Sequence, residues 1–596
     1  MEKHISWVDA KERELEKKVL AEYSKDEVQK HLHFFTALIR RAGTKEELKA
    51  AKYIKGKLEE CGVDSEIYEF DAYINHPGEA HLQVLSPAET SLPCLTSIFS
   101  TSTPPEGVEA ELIALNTGSE EDYRGVDPRG KIGLIKPAGM EGQLEAAKRG
   151  EEKGVAAQIH VNTGKTRAIS IGQFRNTWGN PTPEAVAHLP KTPAVSVCEE
   201  DGEYLSDLTR KGRVLIRLKV DSWRGYKKIR LPIGVLPGSK EPDKYVLAAG
   251  HYCSWFTGAT DNAAANALML EMARIFSKYR KNLARGIRFA WWSGHEQGLY
   301  AGSTWYLDTF WDDIRDNAIA YLVMDGFGRK GASGFEPRNT EEVRMFQERV
   351  IKDVLGVDTP SKRAPRFGDQ SYWGMGLPSM TGRPGFAFEK EGAKGSESIW
   401  YSHTAEDTLD KVDLDLVSIP FKVNAVSLLR LCNSPVLPLE FVTMAEVIKQ
   451  ALDGLRANGD IPLDLTSLIT QAEALQKKAK ALNKVIGKNL LGFEKRGRDR
   501  ERVRKFKEIN GCLMGLSRIL MPILSSQAGK YGQDPMGGRF QPLPRLQPVK
   551  ELNSMGRGTE AYQALLTSLV RERNRLSDAL NSADRLLSST LHSTGR

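Results

Sequence analysis

The sequence lacks closely paired cysteines and long apolar runs, and both absences narrow its class. Its six cysteines are scattered with no Cys-x-x-Cys spacing, which argues against a disulfide framework and against a zinc knuckle. No apolar stretch reaches the roughly 18 residues that suggest a membrane-spanning helix. The charged residues 1–18 also lack the apolar centre of a signal peptide. We therefore expect a cytoplasmic protein with no membrane partner.

A strong excess of one charge is also missing. The formal net charge is +7 over 596 residues, which fits a mildly basic surface. The densest basic run, residues 494–507, lacks the regularly interleaved aromatic side chains on which nucleic-acid bases stack. A solvated helix face is the simpler interpretation of this run, so we predict no nucleic-acid partner.

A chain of this length exceeds a single hydrophobic core, so we expect several domains. Helical periodicity dominates residues 1–75, short apolar runs separated by Pro and Gly fill residues 76–229, and strand and helix patterns alternate over residues 230–435. Residues 436–596 carry Leu and Ala at helical spacing. We predict an α/β body built from the first and third segments, a β-rich domain inserted between them, and a helical C-terminal domain.

The α/β body is organised around residues 246–303. Apolar runs at residues 246–250 and 287–292 are typical of buried strands, and an Ala-rich helical pattern lies between them. His251 follows the first run, and Glu296 follows the second. Ligands bind at the carboxyl ends of strands in open α/β sheets, so we expect these side chains to meet in one site.

Five ionisable residues stand at strand ends or loop tips of this body. A lone aspartate or histidine at such a position is more often a helix cap or a satisfied polar group. Two imidazoles and three carboxylates together, however, form a ligand set for a pair of divalent cations that share one carboxylate. The five residues are His251, Asp261, Glu296, Asp325 and His403.

Five ordered motifs resemble those of a known family. They are HYCSWFTGATDNAAAN, WWSGHEQGLYAGS, LVMDGFG, FGDQSYWGMGLPSM and YSHTAEDTLDKVD. They are similar to the motifs of the dinuclear zinc aminopeptidases, and the order of segments resembles the glutamate carboxypeptidase and transferrin receptor branch. The resemblance implies a mixed sheet flanked by helices, with an inserted protease-associated domain and a C-terminal helical domain that dimerises.

The resemblance also implies a role for each metal-binding candidate. His251 and Asp325 match the terminal ligands of one metal ion. Glu296 and His403 match those of the other ion, and Asp261 matches the carboxylate that bridges the two.

Two further acidic residues match positions near the family's metal site. Asp369 lies in the loop before the Gly-Leu-Pro sequence, and Asp407 follows the last motif histidine. We assign a supporting or structural role to both.

Three positions depart from the family pattern. His295 stands where the family has the glutamate that acts as general base. Cys253 replaces an aspartate that orients the first histidine ligand, and Ser402 replaces a tyrosine that steadies the oxyanion, with Tyr401 one residue before it. An imidazole can act as a base near neutral pH, so we expect His295 to relay protons. The alternative is that His295 itself binds metal. We expect Ser402 or Tyr401 to hold the oxyanion.

The Cys253 replacement predicts a weaker metal site. A thiol accepts a hydrogen bond poorly, so His251 is expected to lose the partner that orients its ring.

These features predict a metal-dependent hydrolase that cleaves an amide or peptide C–N bond with metal-activated water. The histidine at the general-base position makes it atypical. We expect one or two divalent ions, with zinc first and manganese or iron also compatible, and a peptide or small amide as substrate. The helical C-terminal segment predicts a homodimer.

Two other functions fit the sequence less well. A non-catalytic, receptor-like or scaffold dimer of the same fold would hold no stoichiometric metal and would bind partners through the inserted and helical domains. Thiol chemistry would use Cys253 as nucleophile and His295 as base. The surrounding carboxylates oppose a thiolate unless a metal is bound.

Overall fold

The computed structural model describes residues 8–164, 166–175, 178–366, 369–385, 399–457, 462–496, 500–535 and 541–595. Within these residues the strands are β1 (Asp64–Ser86), β2 (Thr90–Leu92), β3 (Leu95–Thr96), β4 (Val108–Ala114), β5 (Ile132–Ile135), β6 (Ala157–Val161), β7 (Ala194–Val197), β8 (Leu215–Leu236), β9 (Glu241–His251), β10 (Arg285–Trp292), β11 (Ala318–Val323), β12 (Gly334–Asn339), β13 (Lys362–Arg363) and β14 (Ser379–Gly385).

The helices are α1 (Ala10–Ala21), α2 (Lys25–Thr36), α3 (Lys45–Glu60), α4 (Gly139–Glu152), α5 (Pro183–Ala187), α6 (Glu199–Lys211), α7 (Ala264–Lys278), α8 (His295–Gly298), α9 (Ala301–Thr309), α10 (Trp311–Asn317), α11 (Arg344–Leu355), α12 (Leu414–Asn433), α13 (Val442–Arg456), α14 (Thr466–Arg496), α15 (Arg500–Ser525) and α16 (Glu560–Thr594). No described helix is both long enough and apolar enough to cross a membrane.

One mixed sheet runs through the first two-thirds of the chain. Its strand order is β13-β12-β14-β11-β9-β10-β8-β4-β5-β6-β7-β3, with β1 paired to β8 and β2 to β1. The strands β14, β11, β9 and β10 run parallel to one another. Parallel strands place their carboxyl ends at one edge, and this edge carries the predicted metal ligands.

The long strands β1 and β8 join the segment 76–229 to the α/β body. They form an antiparallel ladder from the Asp64–Val235 pair to the Ser86–Leu215 pair. The predicted boundaries at residues 76 and 229 therefore fall inside continuous strands. The ladder continues through Pro77 and Gly78 with an irregularity in register between Pro77 and Ala80.

The buried side chains on one face of the sheet form a single core with the C-terminal helices. Leu268 on α7, Val426 on α12, Leu513 on α15 and Leu580 on α16 belong to the same hydrophobic cluster. A smaller cluster around Trp292 fills the opposite face of the body, and a third lies within the segment 76–229. The C-terminal helices thus share their core with the sheet that carries the site.

The apolar pattern of residues 375–380 predicts the approach to a strand, and the structure has a turn through Gly376 before that strand. The strand β14 begins only at Ser379. Gly376 has φ +84°, and a Cβ on Gly374 would lie 2.7 Å from the Gly529 carbonyl oxygen. Close packing of the C-terminal segment on this loop therefore decides its conformation, which the apolar pattern alone could not indicate.

Candidate functional site

The five predicted ligands come from the carboxyl edge of the parallel strands. His251 ends β9, Glu296 lies in the short helix α8 after β10, and Asp325 follows the end of β11. Asp261 lies in the irregular turn Ala259–Ala263 directly before α7, and its own backbone is not helical, with φ −131° and ψ 80°. His403 has φ 59° in the loop before α12. The topology thus brings together side chains that are far apart in the sequence.

Asp261 stands between the two histidines. Its Oδ1 lies 3.1 Å from His251 Nε2, and its Oδ2 lies 3.3 Å from His403 Nε2. Each carboxylate oxygen therefore faces a different imidazole. This is the arrangement that a carboxylate shared by two cations requires.

Asp325 and Glu296 complete the two halves of the site. Asp325 Oδ1 lies 3.7 Å from His251 Nε2, and Glu296 Oε1 lies 3.5 Å from His403 Nε2. Ligand atoms of His251, Asp261 and Asp325 all lie within 4.8 Å of one another, and so do those of Asp261, Glu296 and His403. Each half offers three ligand atoms, which is the number that a catalytic zinc ion takes from protein.

The chemistry of Glu296 shows that these residues fit a metal. Its side chain is 1% exposed, and neither carboxylate oxygen has a hydrogen-bond partner among the described residues. A buried carboxylate without hydrogen bonds carries a large desolvation cost, which the nearby His403 imidazole and a bound cation would both offset.

The protonation states of the site imidazoles and carboxylates depend on one another. Burial by itself would lower the pKa of His251, but its contacts with Asp261 and Asp325 raise that pKa well above the usual value. Burial would raise the pKa of Asp261, but His251 and His403 hold it well below the usual value. These contacts favour an ionised Asp261 beside protonated His251 and His403. A divalent cation would replace the imidazole protons.

Backbone and side-chain hydrogen bonds fix the Asp261 turn. The Asp407 carboxylate accepts hydrogen bonds from the Thr260 and Asp261 amides at 3.0 and 3.1 Å. Asn262 Nδ2 donates to the carbonyl oxygens of His251 and Met324. Asp407 thus has the supporting position expected from the sequence.

The expectation that His251 loses its orienting partner is wrong. His251 Nδ1 lies 3.0 Å from the backbone carbonyl oxygen of Cys253. The Cys253 thiol is buried, its Sγ is 4.0 Å from the same nitrogen, and burial raises its pKa. The main chain therefore takes over the role of the missing carboxylate. A buried thiol with a raised pKa is also a poor nucleophile, which argues against the thiol mechanism.

His295 is held on three sides next to this centre. Its Nδ1 lies 2.7 Å from Asp369 Oδ2. Its ring stacks on His251 at 3.8 Å between centroids and meets the Tyr300 ring edge-on at 4.6 Å. One of its ring nitrogens lies within 4.8 Å of ligand atoms of His251 and Glu296. His295 is therefore close enough to act on a group bound at the centre.

Ser402, and not Tyr401, lies at the site. Ser402 Oγ is 3.3 Å from Asp261 Oδ2 and lines the cavity over the centre. Tyr401 is absent from the described lining of that cavity, and its buried hydroxyl has no hydrogen-bond partner in the parts of the chain described. Of the two residues, Ser402 is therefore the one that lies beside the metal-binding candidates.

The cavity has a volume of about 360 Å³, and the segment 76–229 forms one of its walls. Ile171 N donates to the His403 carbonyl oxygen, and Ser170 Oγ donates to that of Ser402. Arg329 and Arg383 also line the cavity. Sequence reasoning missed the contribution of the inserted segment, since no local pattern links residues so distant in the chain.

Four non-glycine residues near the site have left-handed backbone conformations. The φ angles are 46° for Leu299, 70° for Tyr300, 62° for Asp369 and 59° for His403. Each such conformation costs on the order of 1–3 kcal/mol and persists where surrounding contacts impose it. Because the four residues cluster around the site, we infer that the surrounding packing imposes the backbone conformation there.

Comparison with known proteins points to one family. Residues 233–425 match the model of Peptidase family M28. The probable glutamate carboxypeptidase VP8 of Zea mays is 23% identical over 503 residues, which cover 72% of this chain and 70% of the relative.

Solved structures share the fold. The Peptidase M28 precursor from Shewanella amazonensis superposes with a TM-score of 0.59 at 22% identity, covering 72% of this chain and 97% of that one. A zinc aminopeptidase from Bacillus subtilis gives a TM-score of 0.54 at 21% identity, covering 67% and 94%.

Proposed function

We propose that the protein is a metal-dependent hydrolase of peptide or small amide C–N bonds, and the match of residues 233–425 to the model of Peptidase family M28 supports this. The observation that carries the proposal is the position of Asp261, whose two oxygens face His251 and His403 at 3.1 and 3.3 Å. A bound metal supplies the polarisation of water and of the substrate carbonyl. Zinc is the first candidate, since a structural neighbour is a zinc aminopeptidase.

His295 is the proposed proton acceptor. Its Nδ1 faces Asp369, so Nε2 is the nitrogen left to take a proton from the attacking water. That proton then passes to the nitrogen of the departing amine as the C–N bond breaks, and His295 returns to its neutral form. Ser402 Oγ, which lines the cavity beside Asp261, is the proposed donor to the carbonyl oxygen.

The geometry favours this function over the receptor-like alternative. A protein that only binds partners has no need for a Glu296 that is buried without hydrogen bonds. We retain a homodimer through residues 436–596 as part of the proposal, on the strength of the family resemblance alone.

The test combines metal analysis with a substrate screen on the same sample. Protein loaded with zinc should hold one or two ions per chain and should hydrolyse an aminoacyl-4-nitroanilide, a dipeptide or an N-acylated amino acid. The variant Asp261→Asn should lose zinc and turnover, because one neutral oxygen cannot serve two cations. Asp415→Asn, on an exposed carboxylate of α12, is the matched control and should behave as wild type. Zinc-free protein that gains no metal on loading, or turnover that survives Asp261→Asn, would contradict the proposal.

A further inference from the structure

A chain of buried polar side chains leads away from His295. Asp369 Oδ2 lies 2.7 Å from His295 Nδ1, and its other oxygen accepts a hydrogen bond from Ser303 Oγ at 2.8 Å. Ser303 Oγ lies 2.7 Å from Ser371 Oγ, which accepts from Trp178 Nε1 at 2.8 Å. Asp369 is 1% exposed, and Ser303 is fully buried.

Trp178 reaches His295 by a second route. Its ring stacks on Tyr300 at 3.7 Å between centroids, and Tyr300 meets His295 edge-on. Trp178 comes from the segment 76–229, whereas His295 and Asp369 come from the α/β body. The inserted segment therefore supports both the ring and the carboxylate that faces it.

We propose that Asp369 and Trp178 are positioning residues that hold His295 in one tautomer and one orientation for proton transfer. This inference rests on the proposed hydrolase function. A carboxylate facing Nδ1 keeps the proton on that nitrogen, and Nε2 is left as the acceptor. Within the described residues Nε2 has no hydrogen-bond partner, so it is free to act toward the cavity. Stacking on His251 and the edge of Tyr300 prevents the ring from turning away.

The energetic reason lies in burial. An isolated carboxylate as buried as Asp369 carries a large desolvation cost unless hydrogen bonds satisfy it. The His295 and Ser303 donors meet that need, and Ser303 is in turn fixed through Ser371 and Trp178. Removing the charge at Asp369 leaves an amide, which can present its NH₂ group to Nδ1 and so stabilise the wrong tautomer, with Nε2 protonated.

The decisive experiment is a double-mutant cycle on the zinc-loaded full-length protein. With leucyl-4-nitroanilide and alanyl-glutamate as probes, Asp369→Asn should lower kcat by on the order of 10²-fold, the range of a general base. KM and zinc content should change by less than about threefold, since no metal ligand is altered. In a His295→Ala background, Asp369→Asn should have no further effect, because its role acts through the imidazole. An equal loss in both backgrounds, or a loss of zinc, would overturn the inference.

The variant Trp178→Phe tests the end of this series of hydrogen bonds that lies farthest from His295. Phenylalanine keeps the stacking on Tyr300 and removes only the Nε1 donor, so kcat should fall by about fivefold, the equivalent of one hydrogen bond. Trp223→Phe, on an exposed side chain of the same segment, is the matched control and should leave kcat unchanged. Unchanged kcat in Trp178→Phe would remove Trp178 from the proposal.

A spectroscopic readout separates this inference from the function on which it rests. A hydrogen bond from an imidazole Nδ1–H to a carboxylate gives a downfield proton resonance. That signal should be present in the wild-type protein and absent from both His295→Ala and Asp369→Asn. If zinc-loaded protein hydrolyses no probe, the hydrolase proposal fails, while the resonance still tests the His295–Asp369 pair. If the protein is active but the signal is missing, the positioning role fails alone.

Discussion

At the scale of single residues, the site shows how a main-chain atom replaces a missing side chain. Cys253 occupies a position where the family has an aspartate, yet its carbonyl oxygen lies 3.0 Å from His251 Nδ1. A carbonyl is a better acceptor than a thiol, so the ring of His251 stays oriented. The replacement of aspartate by Cys253 changes the side chain, while the contact that orients His251 is made by the backbone carbonyl.

The variant Cys253→Ala tests this replacement. Because the carbonyl oxygen remains, zinc content and kcat should stay near wild type, well short of the roughly 10–100-fold loss in metal affinity that follows removal of an orienting partner. Elemental analysis and steady-state kinetics measure both quantities. Cys512→Ala, which removes another buried thiol in α15, controls for the packing defect. A zinc loss confined to Cys253→Ala would assign the orienting role to the thiol.

At the scale of elements, the C-terminal helix α15 packs on the α/β body through a buried acid. Ser517 Oγ on α15 lies 2.9 Å from both Glu342 Oε1 and the Gly376 carbonyl oxygen. Burial, with a smaller contribution from Glu341, raises the pKa of Glu342 to about 7. When protonated, Glu342 can donate to Ser517, whose own proton then goes to Gly376. Ionisation removes that donor and leaves a charge in the interface.

The stability of this interface should therefore fall as the pH rises. Between about pH 4.5, the usual pKa, and pH 7, the unfolded chain releases a proton that the folded protein still holds, so ionisation favours unfolding. Glutamine at position 342 resembles the protonated acid. Glu342→Gln should thus match wild type near pH 4.5 and exceed it by up to about 3 kcal/mol at pH 8. Urea unfolding midpoints of both proteins at the two pH values measure the difference.

The exposed Glu551→Gln serves as the control for this comparison. It should follow the wild-type pH dependence. A Glu342→Gln protein whose advantage over wild type is the same at both pH values would show that Glu342 does not titrate in this range.

At the scale of the whole molecule, the ligand set ties together distant parts of one chain. The five metal-binding candidates span residues 251–403, and the segment 76–229 contacts their loops through Ser170 and Ile171. Such a site exists only in the folded state, so metal binding adds directly to the free energy of unfolding. A cytoplasmic location and a homodimer through residues 436–596 stay predictions at this scale.

Zinc should therefore raise the melting temperature. Free zinc at about 100 times its dissociation constant adds roughly 2.7 kcal/mol, which corresponds to about 2 °C for a chain of this length that unfolds as one unit. Differential scanning calorimetry with and without zinc measures the shift. Asp261→Asn should abolish it, and Asp415→Asn should retain it. Equal shifts in Asp261→Asn and wild type would place the bound zinc elsewhere.

The sequence by itself determined the types of ligand and their places at strand ends. Strands and helices follow from local periodicity, and the parallel order of β9, β10 and β11 carries His251, Glu296 and Asp325 to one edge. The ordered motifs were enough to indicate a resemblance to zinc aminopeptidases, and residues 233–425 match the model of Peptidase family M28. Asp261 and His403 could be named from those motifs as well.

Only the tertiary structure decided how these groups act. No local sequence pattern indicates the contact of His295 with Asp369 or the use of the Cys253 carbonyl. None indicates that Ser402 rather than Tyr401 lies at the site, or that the segment 76–229 supplies a wall of the cavity. Each depends on loop conformations and on packing between parts of the chain that are far apart in sequence. Local periodicity reports which face of an element is buried, but the partner that buries it is set by the global fold.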